Sequence, residues 1–349
     1  MALQDSITYI NDLDISIQHS VGIERLKGAT VLITGATGTI GSFIADTLLR
    51  YNQSNKAGIT VYVAGRDVEK LVKRYSYWND SKVIPLKYDV SETIGFDCSV
   101  DYVMHAAGNA HPAAFNGHPV GTIIGNVQGT YNLLEYSRLH GSKRFLYVSS
   151  GEVYGQGDLS LEEFSEEYSG YIDTSSPRSC YPQSKRATEN LCASYYKQYG
   201  LETVTVRPCH TFGPGITPTD SRANAQFFRN VLNDEDIVMK SAGTQLRSYN
   251  YIADCISGVI TILLNGVAGE AYNTANPNVR ISIAELAQAI AYSGNKRVVF
   301  SSPTDIDLAN RTPIEKQVLS SRKLEALGWK PAFDLLKAVN NTIQILRDI

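Results

Sequence analysis

Short runs of β-branched and other apolar residues alternate with longer segments of helical periodicity between residues 29 and 208. Because parallel strands are joined by crossover helices, this alternation predicts an α/β fold with a doubly wound parallel sheet. The predicted strands are Ala29–Thr34, Ile59–Ala64, Val83–Tyr88, Val100–Ala106, Arg144–Ser149 and Glu202–Arg207. The clearest helices between them are Ser42–Tyr51, Asp67–Tyr75, Val120–Leu139 and Pro182–Tyr199.

The alternation stops after Pro208, and a loop rich in glycine, proline and threonine is predicted over Thr211–Asn224. The helices predicted beyond it are Ala225–Leu232, Ile252–Leu264, Ile283–Ala291, Lys316–Leu327 and Leu335–Leu346. We therefore expect a larger domain over residues 29–208 and a smaller, mostly helical lobe over residues 209–349, from which segments near 250–275 could rejoin the sheet. Residues 1–28 are expected to form a helical extension outside the sheet.

Composition and charge exclude several kinds of partner. The formal net charge of −3 gives no broad positive field, which argues against nucleic acid. The apolar stretch Ile256–Ala268 is too short to span a bilayer, and the first 27 residues lack the basic start and apolar core of a signal peptide. The five cysteines are scattered without metal-ligand spacing, so we expect reduced thiols, no metal site and a cytoplasmic location.

A glycine-rich turn lies between the first predicted strand and the first helix. Glycines there permit a tight turn and a close backbone approach to a pyrophosphate, and the helix N-terminus presents N–H donors to it. The turn predicts a Rossmann-type site for a nicotinamide dinucleotide; because its G-x-x-G-x-x-G spacing is one residue longer than usual, a turn without a ligand is the alternative. The residues assigned to this site are Gly35, Thr37, Gly38, Thr39, Ile40 and Gly41.

The end of the second predicted strand bears on the choice of dinucleotide. An NAD site usually has a carboxylate there for the ribose hydroxyl, whereas an arginine accommodates the 2′-phosphate of NADP. Arg66 follows a glycine at this point, so NADP is favoured over NAD, although Asp67 could either cap the next helix or reach the ribose. Asp89 and Val90, after the third strand, could flank the adenine; an ordinary turn is the alternative.

Tyr181 and Lys185 are four residues apart near the start of a predicted helix, which places them on one helical face. A nearby ammonium lowers the pKa of a phenol, so Tyr181 is a candidate general acid–base. In a chain with 21 tyrosines a surface pair is the alternative. Ser150 follows the fifth predicted strand, where its hydroxyl could face the cleft beyond the sheet.

With these motifs the chain resembles the extended short-chain dehydrogenase/reductase superfamily, which contains nucleotide-sugar epimerases, dehydratases and decarboxylases. The resemblance extends from about residue 29 to the C-terminus. The further segments that carry it are His105-Ala106-Ala107-Gly108, Asn126-Val127-Gln128-Gly129-Thr130, Arg207-Pro208, Phe212-Gly213-Pro214, Gly243-Thr244-Gln245-Leu246-Arg247, Arg311-Thr312-Pro313 and Leu327-Gly328-Trp329.

The resemblance implies a role for each of several residues. Ser150 would hydrogen-bond the reacting sugar hydroxyl, and Tyr181 would take its proton. Lys185 would hold the nicotinamide ribose and lower the pKa of Tyr181, while Asn126 would complete the proton relay. The hydride would leave sugar C4 and give a 4-keto sugar. Cofactor contacts are implied as well for Ala106, Ala107, Gly108, Tyr181, Lys185 and Pro208.

Glu152 is the residue that distinguishes the branches of the superfamily. Once C4 is a ketone the C5 proton is acidic, and a nearby carboxylate can remove it. If C6 bears a hydroxyl, water then leaves; a C6 carboxylate instead forms a β-keto acid, which loses carbon dioxide readily. A glutamate two residues after the catalytic Ser/Thr resembles UDP-glucuronate decarboxylases and GDP-mannose 4,6-dehydratases. The dTDP-glucose 4,6-dehydratases have Asp-Glu there, whereas this chain has Gly151 before the glutamate. A salt-bridged loop carboxylate is the alternative for Glu152.

Polar residues of the later lobe resemble those that hold the nucleotide sugar. Arginine can bind carboxylate or phosphate through two parallel hydrogen bonds, which suits either the sugar or the diphosphate. His210 occupies a position where the family usually has asparagine, and Gly151 occupies one where the decarboxylases have serine. The substrate-binding candidates are His210, Arg222, Arg247 and Arg311, and each arginine has a surface role as its alternative.

The sequence thus predicts an enzyme that oxidises a UDP-, dTDP-, CDP- or GDP-sugar at C4 with bound NAD(P) and then acts at C5 and C6. A nucleotide-sugar 4-epimerase is the alternative within the superfamily. Two alternatives do not involve this chemistry: a non-catalytic NAD(P)-binding sensor or scaffold on the same fold, and an ordinary alcohol dehydrogenase with net cofactor turnover. Relatives commonly dimerise through two helices that correspond to Val120–Leu139 and Pro182–Tyr199, so a homodimer is expected.

Overall fold

The computed structural model describes residues 2–78, 82–108, 110, 112–217, 220–304 and 314–349. Its centre is a seven-stranded sheet in the order β10-β6-β5-β4-β1-β2-β3, with every neighbouring pair parallel. This is the doubly wound order predicted above, which reverses between β1 and β4. The strands are β1 Thr30–Thr34, β2 Thr60–Gly65, β3 Val83–Lys87, β4 Tyr102–His105, β5 Arg144–Val148, β6 Thr203–Pro208 and β10 Ala271–Thr274.

Helices cover both faces of the sheet. One face packs against α2, α3 and α8, and α1 covers α2 and α8 from outside; the other face packs against α5 and α6. The helices are α1 Ile7–Gln18, α2 Thr39–Asn55, α3 Val68–Tyr75, α4 Pro112–Gly117, α5 Pro119–Leu139, α6 Cys180–Tyr199, α7 Ala223–Leu232, α8 Ile252–Asn265, α9 Ile283–Ser293, α10 Arg322–Glu325 and α11 Leu335–Asp348. In the part of the chain that is described, no helix is both long and apolar enough to cross a membrane.

The later lobe contains short strands that the sequence did not predict. They form a four-stranded sheet around β9, with β7, β11 and β13 as its partners, and a separate pair, β8 with β12. Because β7 begins two residues after β6, this small sheet lies beside the carboxyl end of the large one. These strands are β7 His210–Phe212, β8 Ile237–Met239, β9 Leu246–Tyr251, β11 Arg280–Ser282, β12 Val298–Phe300 and β13 Lys316–Gln317.

The helix predicted over Lys316–Leu327 is wrong. Only Arg322–Glu325 is helical; the segment begins with β13, and Val318 and Leu319 continue it as extended chain. Both of these residues are buried, and the Val318 carbonyl accepts a hydrogen bond from the Phe164 N–H at 2.8 Å. Successive buried residues in an extended segment therefore produced an apolar pattern that resembles a helix.

Candidate active site

The glycine turn forms a close-packed cradle between β1 and α2. Gly35 has a φ of +69°, and a Cβ added there would lie 2.7 Å from the carbonyl oxygen of Ala106. A Cβ at Gly41 would overlap the carbonyl oxygen of Gly35, and Gly38 caps α2 without a side-chain hydrogen bond. The N-terminus of α2 is thus approached by backbone alone, which is the arrangement that suits a dinucleotide pyrophosphate.

Two neighbours of this cradle differ in what their side chains do. Thr39, the first residue of α2, donates its hydroxyl to the carbonyl oxygen of Gly215 at 2.9 Å, so the loop after β7 rests against the turn. Ile40 is partly buried and packs against the core on the α2 side of the sheet. Ala106 and Ala107, just past β4, lie on the other side of the turn.

The residues after β2 and β3 are placed at the edge of the same cleft. Asp67 caps α3 by accepting the Lys70 N–H at 2.9 Å, whereas the Arg66 side chain is exposed. Asp89 accepts hydrogen bonds from the N–H and hydroxyl of Ser91, which lower its pKa, and nearby Arg66 lowers it further. Val90 packs against α5, where a Cβ at Gly125 would be 3.0 Å from its Cγ2. Asp67 is therefore occupied as a helix cap.

Ser150, Tyr181 and Lys185 meet beyond the end of β5. Tyr181 lies in the first turn of α6, is 5% exposed, and stacks on Phe115 with ring centroids 5.1 Å apart. The Ser150 hydroxyl is close enough to the phenol to lower its pKa. Lys185 Nζ lies 5.7 Å from the Tyr181 ring centroid and donates to the Val148 carbonyl at 2.8 Å. The predicted catalytic serine, tyrosine and lysine thus share one buried site.

Burial decides the ionisation of this group. The pKa of Lys185 is lowered to about 8, chiefly because its ammonium loses water. The pKa of Tyr181 is raised, first by burial and then by the negative charge of Glu152. The expectation that Lys185 lowers the pKa of Tyr181 is therefore corrected: the groups that lower it are Ser150 and Arg222, and burial outweighs both.

Asn126 lies on α5 behind the lysine. Its side-chain amide donates to the Ser184 hydroxyl at 2.9 Å, and its backbone carbonyl oxygen accepts from the Thr130 hydroxyl at 2.7 Å. Gly108 completes this corner, since a Cβ added there would be 2.9 Å from Asn126 Oδ1 and 4.0 Å from Lys185 Nζ. The structure therefore brings Asn126, Gly108 and Lys185 together.

Glu152 lies in the short 3₁₀ turn after Ser150, whose hydroxyl accepts the Glu152 N–H at 3.1 Å. The glutamate side chain is 22% exposed, and its Oε2 has no hydrogen-bond partner among the described residues. Arg178 Nη1 is 3.7 Å from that oxygen. Burial raises the pKa of Glu152, while Arg178 and Arg247 oppose the rise. Glu152 is thus ion-paired, as its alternative as a salt-bridged loop carboxylate requires, but its Oε2 is still free to accept a hydrogen bond in the site that holds Ser150 and Tyr181.

Gly151 has a packing reason for lacking a side chain. A Cβ there would be 3.1 Å from Leu319 Cδ1 and 3.4 Å from the Pro208 carbonyl oxygen. Gln317 of β13 donates its amide to the Gly151 carbonyl at 2.9 Å. The later lobe therefore fills the space that a larger residue at this position would need, and the same contacts place Pro208 beside the turn Gly151–Tyr154.

The later lobe contributes a cluster of positive charge. Arg247 on β9 is 2% exposed and donates to the carbonyl oxygens of Leu246, Ile314 and Glu315. Arg222, at the start of α7, pairs with Asp220 at 2.6 Å. Both lie near His210, whose pKa is lowered to about 3 by burial and by these two charges.

His210 is therefore a neutral imidazole, stacked obliquely on Tyr249 with ring centroids 5.7 Å apart. Its Nδ1 is buried and has no hydrogen-bond partner in the described ranges. Arg311, with Thr312 and Pro313, lies outside the described residues.

Comparison with known proteins agrees with this geometry. The model of the NAD dependent epimerase/dehydratase family matches residues 31–275. The chain is 30% identical to UDP-glucuronic acid decarboxylase 1 of Xenopus tropicalis, over 91% of this chain and 72% of that protein. It is also 30% identical to UDP-glucuronic acid decarboxylase 3 of Arabidopsis thaliana, over 87% of this chain and 85% of that one. The chain belongs to the NAD dependent epimerase/dehydratase family.

Solved structures show the same fold as this family member at low identity. The dTDP-glucose 4,6-dehydratase DesIV from Streptomyces venezuelae, with NAD bound, gives a TM-score of 0.76 at 22% identity and covers 91% of this chain and 96% of its own. The UDP-glucose 4-epimerase of Thermotoga maritima gives 0.74 at 23% identity, over 91% and 98%. The seven-stranded Rossmann sheet is therefore that of the family.

Two residues of this site, Arg178 and Phe115, were not predicted from the sequence. Arg178 is three residues before Tyr181, in the 3₁₀ turn that leads into α6, and its guanidinium lies 5.6 Å from the Phe115 ring centroid. The spacing to Tyr181 could have indicated Arg178, because residues one turn apart at a helix start face the same side. Phe115 had no such signal, since only the tertiary fold brings α4 to Tyr181.

Proposed function

We propose that this protein oxidises a nucleotide sugar at C4 and then uses Glu152 at C5, with a nucleotide-linked uronate such as UDP-glucuronate as the substrate that fits best. The observation that carries the proposal is the Glu152 carboxyl group, whose Oε2 is paired with Arg178 at 3.7 Å, accepts no hydrogen bond from the described residues, and lies in the same site as Ser150 and Tyr181. A simple 4-epimerase has no use for a carboxylate at this place. The similarity to two UDP-glucuronic acid decarboxylases supports the same choice.

The first step would be proton removal from the C4 hydroxyl. Ser150 would hold that hydroxyl, and Tyr181 would take its proton, with Ser150 and Arg222 opposing the rise that burial causes in the pKa of the phenol. Bound NAD(P) supplies the hydride acceptor that turns the C4 alcohol into a ketone. Lys185 would hold the nicotinamide ribose, and Asn126 and Gly108 would fix the position of that lysine.

The second step would take place at C5 and C6. A ketone at C4 makes a C6 carboxylate a β-keto acid, so the C5–C6 bond breaks, carbon dioxide leaves, and its electron pair forms the C4–C5 enolate. Glu152 would then give its proton to C5, which restores the ketone. Tyr181 would return its proton to the C4 oxygen as C4 takes back the hydride, so that a nucleotide pentose forms and the dinucleotide is oxidised again. A proton from solvent would restore the acid form of Glu152. The raised pKa of Glu152 favours the protonated form that this role needs. Arg178 and Arg247 would stabilise the negative charge of the substrate carboxylate and of the enolate.

The remaining site residues are proposed to bind the two ligands. The glycine turn, with Asp89, Val90, Ala106, Ala107 and Pro208 around it, would hold the dinucleotide. Arg66 supports NADP over NAD, because it is exposed at the end of β2 while the neighbouring carboxylate, Asp67, caps α3. His210, Arg222, Arg247 and Arg311 would hold the nucleotide sugar.

A homodimer is proposed through α5 and α6. Their outer surface exposes a group of large apolar side chains, which a second copy would cover as in the relatives that the sequence resembles. We expect Ile124→Glu to convert a dimer to a monomer in light scattering, while Leu336→Glu, an exposed leucine on α11, does not. The exposed residues on α5 and α6 are Val120, Ile123, Ile124, Tyr131, Leu139, Tyr196 and Tyr199.

Five free cysteines support a cytoplasmic location, because thiols stay reduced in that compartment.

The proposed reaction is tested with purified protein and UDP-glucuronate, UDP-N-acetylglucosamine, dTDP-glucose and GDP-mannose, with products followed by NMR. We expect UDP-glucuronate to lose carbon dioxide and give a UDP-pentose without net change in NADPH. A 6-deoxy-4-keto product from a neutral hexose would make the protein a dehydratase, and a C4 epimer would make it an epimerase. Net dinucleotide reduction would indicate an ordinary alcohol dehydrogenase.

The role of Glu152 has its own test. Glu152→Gln should lower steady-state formation of the UDP-pentose by on the order of 10²–10⁴-fold, yet leave the first C4 oxidation visible as a burst of reduced dinucleotide. Glu163→Gln is the control, because Glu163 is a buried carboxylate that pairs with Arg280 and Arg322, neither of which is a proposed site residue. Formation of the UDP-pentose at the wild-type rate in Glu152→Gln would exclude the assigned role.

A further inference from the structure

One buried hydroxyl outside the predicted site reaches the glycine turn. Tyr75, the last residue of α3, is 3% exposed and donates its phenol O–H to the carbonyl oxygen of Ala36 at 2.6 Å. The N–H of Ala36 is held as well, by the carbonyl oxygen of Ala64 at 3.3 Å. Ala36 is thus fixed from two sides, by α3 and by the end of β2.

The bond to Tyr75 also fixes the orientation of the next amide. A trans peptide unit is planar, and its C=O and N–H point in opposite directions. Because the Ala36 carbonyl points inward at the buried Tyr75 hydroxyl, the N–H of Thr37 points outward from the protein interior. Thr37 is partly exposed, and within the described ranges its N–H donates to no protein acceptor. An outward N–H at this place, next to the N-terminus of α2, suits an anion.

We propose that Tyr75 is a positioning residue of the dinucleotide site, which orients the Ala36–Thr37 peptide so that the Thr37 N–H is presented to the pyrophosphate. The inference rests on the proposed dinucleotide binding and adds to it a residue that never touches the ligand. Without the phenol O–H the Ala36 carbonyl would lose its partner, and the peptide could rotate toward the cleft. A carbonyl oxygen turned to the pyrophosphate would repel it.

The position of Tyr75 is itself secured by a buried carboxylate. Its neighbour Arg74 pairs with Asp46 of α2 at 2.5 Å, and the Asp46 side chain is fully buried. Asp46 also accepts the indole N–H of Trp78 at 2.8 Å, so it holds both sides of the α3 terminus. Its remaining donors come from the N-terminal extension: Tyr9 O–H at 2.6 Å and the Gln4 amide at 3.1 Å. Removal of the Tyr9 hydroxyl would leave Asp46 bonded to Arg74 and Trp78, which are the two residues that hold the α3 terminus around Tyr75.

The experiment compares Tyr75→Phe with Tyr9→Phe in the full-length chain. Both variants delete one buried hydroxyl that makes a 2.6 Å hydrogen bond in this region, but only Tyr75 reaches the glycine turn. Dissociation constants for NADP and NAD are measured by calorimetry, and unfolding midpoints by circular dichroism. We expect Tyr75→Phe to weaken dinucleotide binding by about 5- to 30-fold, as for the loss of about 1–2 kcal/mol. Tyr9→Phe should change dinucleotide binding less than twofold, although it should lower the unfolding midpoint by about as much as Tyr75→Phe does.

Each outcome separates the inference from the proposed function. Tyr75→Phe with wild-type affinity, or Tyr9→Phe with an equal loss, would overturn the positioning role and leave the dinucleotide site in place. A wild-type protein that binds neither dinucleotide would overturn both. Binding of UDP, measured in the same way, should be equal in all three proteins, and a parallel loss in Tyr75→Phe would show general damage instead of a positioned amide.

Discussion

The ionisation of Glu152 results from two opposing effects that can be separated by mutation. Burial raises its pKa, and two arginines oppose that rise. The larger of these effects comes from Arg178, whose Nη1 is 3.7 Å from Glu152 Oε2. Replacing Arg178 with glutamine leaves burial in place and removes that charge. We therefore expect the pH profile of carbon dioxide release in Arg178→Gln to move to higher pH, by on the order of one unit.

The control for this prediction is Arg297→Gln. Arg297 also pairs with a carboxylate, Asp236, but it is 84% exposed. The two residues directly precede the paired strands β12 and β8 of the later lobe. Its pH profile should match that of the wild type. A profile for Arg178→Gln that loses amplitude without moving along the pH axis would mean that Arg178 binds substrate and does not set the ionisation of Glu152.

Lys185 predicts a pH dependence of cofactor binding. Its pKa is lowered to about 8 by burial, so the ammonium is charged below that pH and loses its proton above it. A neutral amine is a weaker donor to a ribose hydroxyl than an ammonium. We expect the affinity for NADP, measured by calorimetry from pH 6.5 to 9.5, to fall as the pH rises through about 8. Lys185→Met should bind weakly at every pH, and a Lys185→Met protein that keeps the same inflection would assign it to another group.

At the scale of elements, the contact between α1 and α2 contains two carboxylates with very different surroundings. Asp46 is fully buried and pairs with Arg74, whereas Asp14 pairs with Arg50 while about a third of its side chain is exposed. Removing one partner of a buried pair leaves an uncompensated charge, which costs about 3–5 kcal/mol. A half-exposed pair contributes about 0–1 kcal/mol.

Asp46→Asn should therefore lower the free energy of unfolding in urea several times more than Asp14→Asn does. Both substitutions keep the side-chain shape, and both affect the packing of α1 on α2. Equal losses in the two variants would mean that burial does not make the Asp46 pair the more stabilising one. The comparison measures how much the buried carboxylate contributes where the extension, α2 and α3 meet, which the sequence alone did not indicate.

The elements of the large sheet could be predicted because each was a long periodic segment bounded by turn residues. The six predicted strands and four crossover helices are all present, with ends that differ by a few residues. The later lobe could not be predicted in the same way. Strands of three residues such as β7 and β11 are too short to show a period, and β9 is recognisable only through partners that are distant in sequence.

The site shows the same division. Ser150, Tyr181 and Lys185 could be predicted because their spacing is local to one strand end and one helix start. Arg178 owes its role to its distance from Glu152, which is 26 residues earlier in the chain. The ionisation of Tyr181 depends on its burial among α4, α6 and the turn Gly151–Tyr154, and no local sequence pattern contains that information.

At the scale of the whole molecule, two buried carboxylates fasten the C-terminal segment to earlier helices. Asp12 on α1 accepts hydrogen bonds from Tyr251 and from Asn341 of α11, and Asp254 on α8 accepts the N–H groups of Ala332 and Phe333. Burial raises the pKa of Asp12 to about 6 and that of Asp254 to about 7. Nearby Lys337 opposes both rises.

The sign of the resulting pH dependence follows from linkage. The ordinary pKa of an aspartate is 3.8, so between that pH and about 7 the folded protein holds a proton at Asp254 that the unfolded chain has released. The stabilisation is complete below about 3.8 and is lost as the pH rises through about 7. One such proton changes the free energy of unfolding by about 1.4 kcal/mol per pH unit.

Asp254→Asn removes this proton and should remove its share of the dependence. We expect the stability advantage of the wild type over Asp254→Asn, measured by urea unfolding, to shrink by on the order of 2 kcal/mol between pH 5 and pH 8. Ser257→Ala is the matched control, because Ser257 lies on the same helix and accepts the Trp329 indole N–H at 2.8 Å but does not titrate. The loss of unfolding free energy that Ser257→Ala causes relative to the wild type should be equal at both pH values. A difference between wild type and Asp254→Asn that stays constant across this range would show that Asp254 remains ionised in the folded protein, with its charge held by the two backbone N–H groups and Lys337.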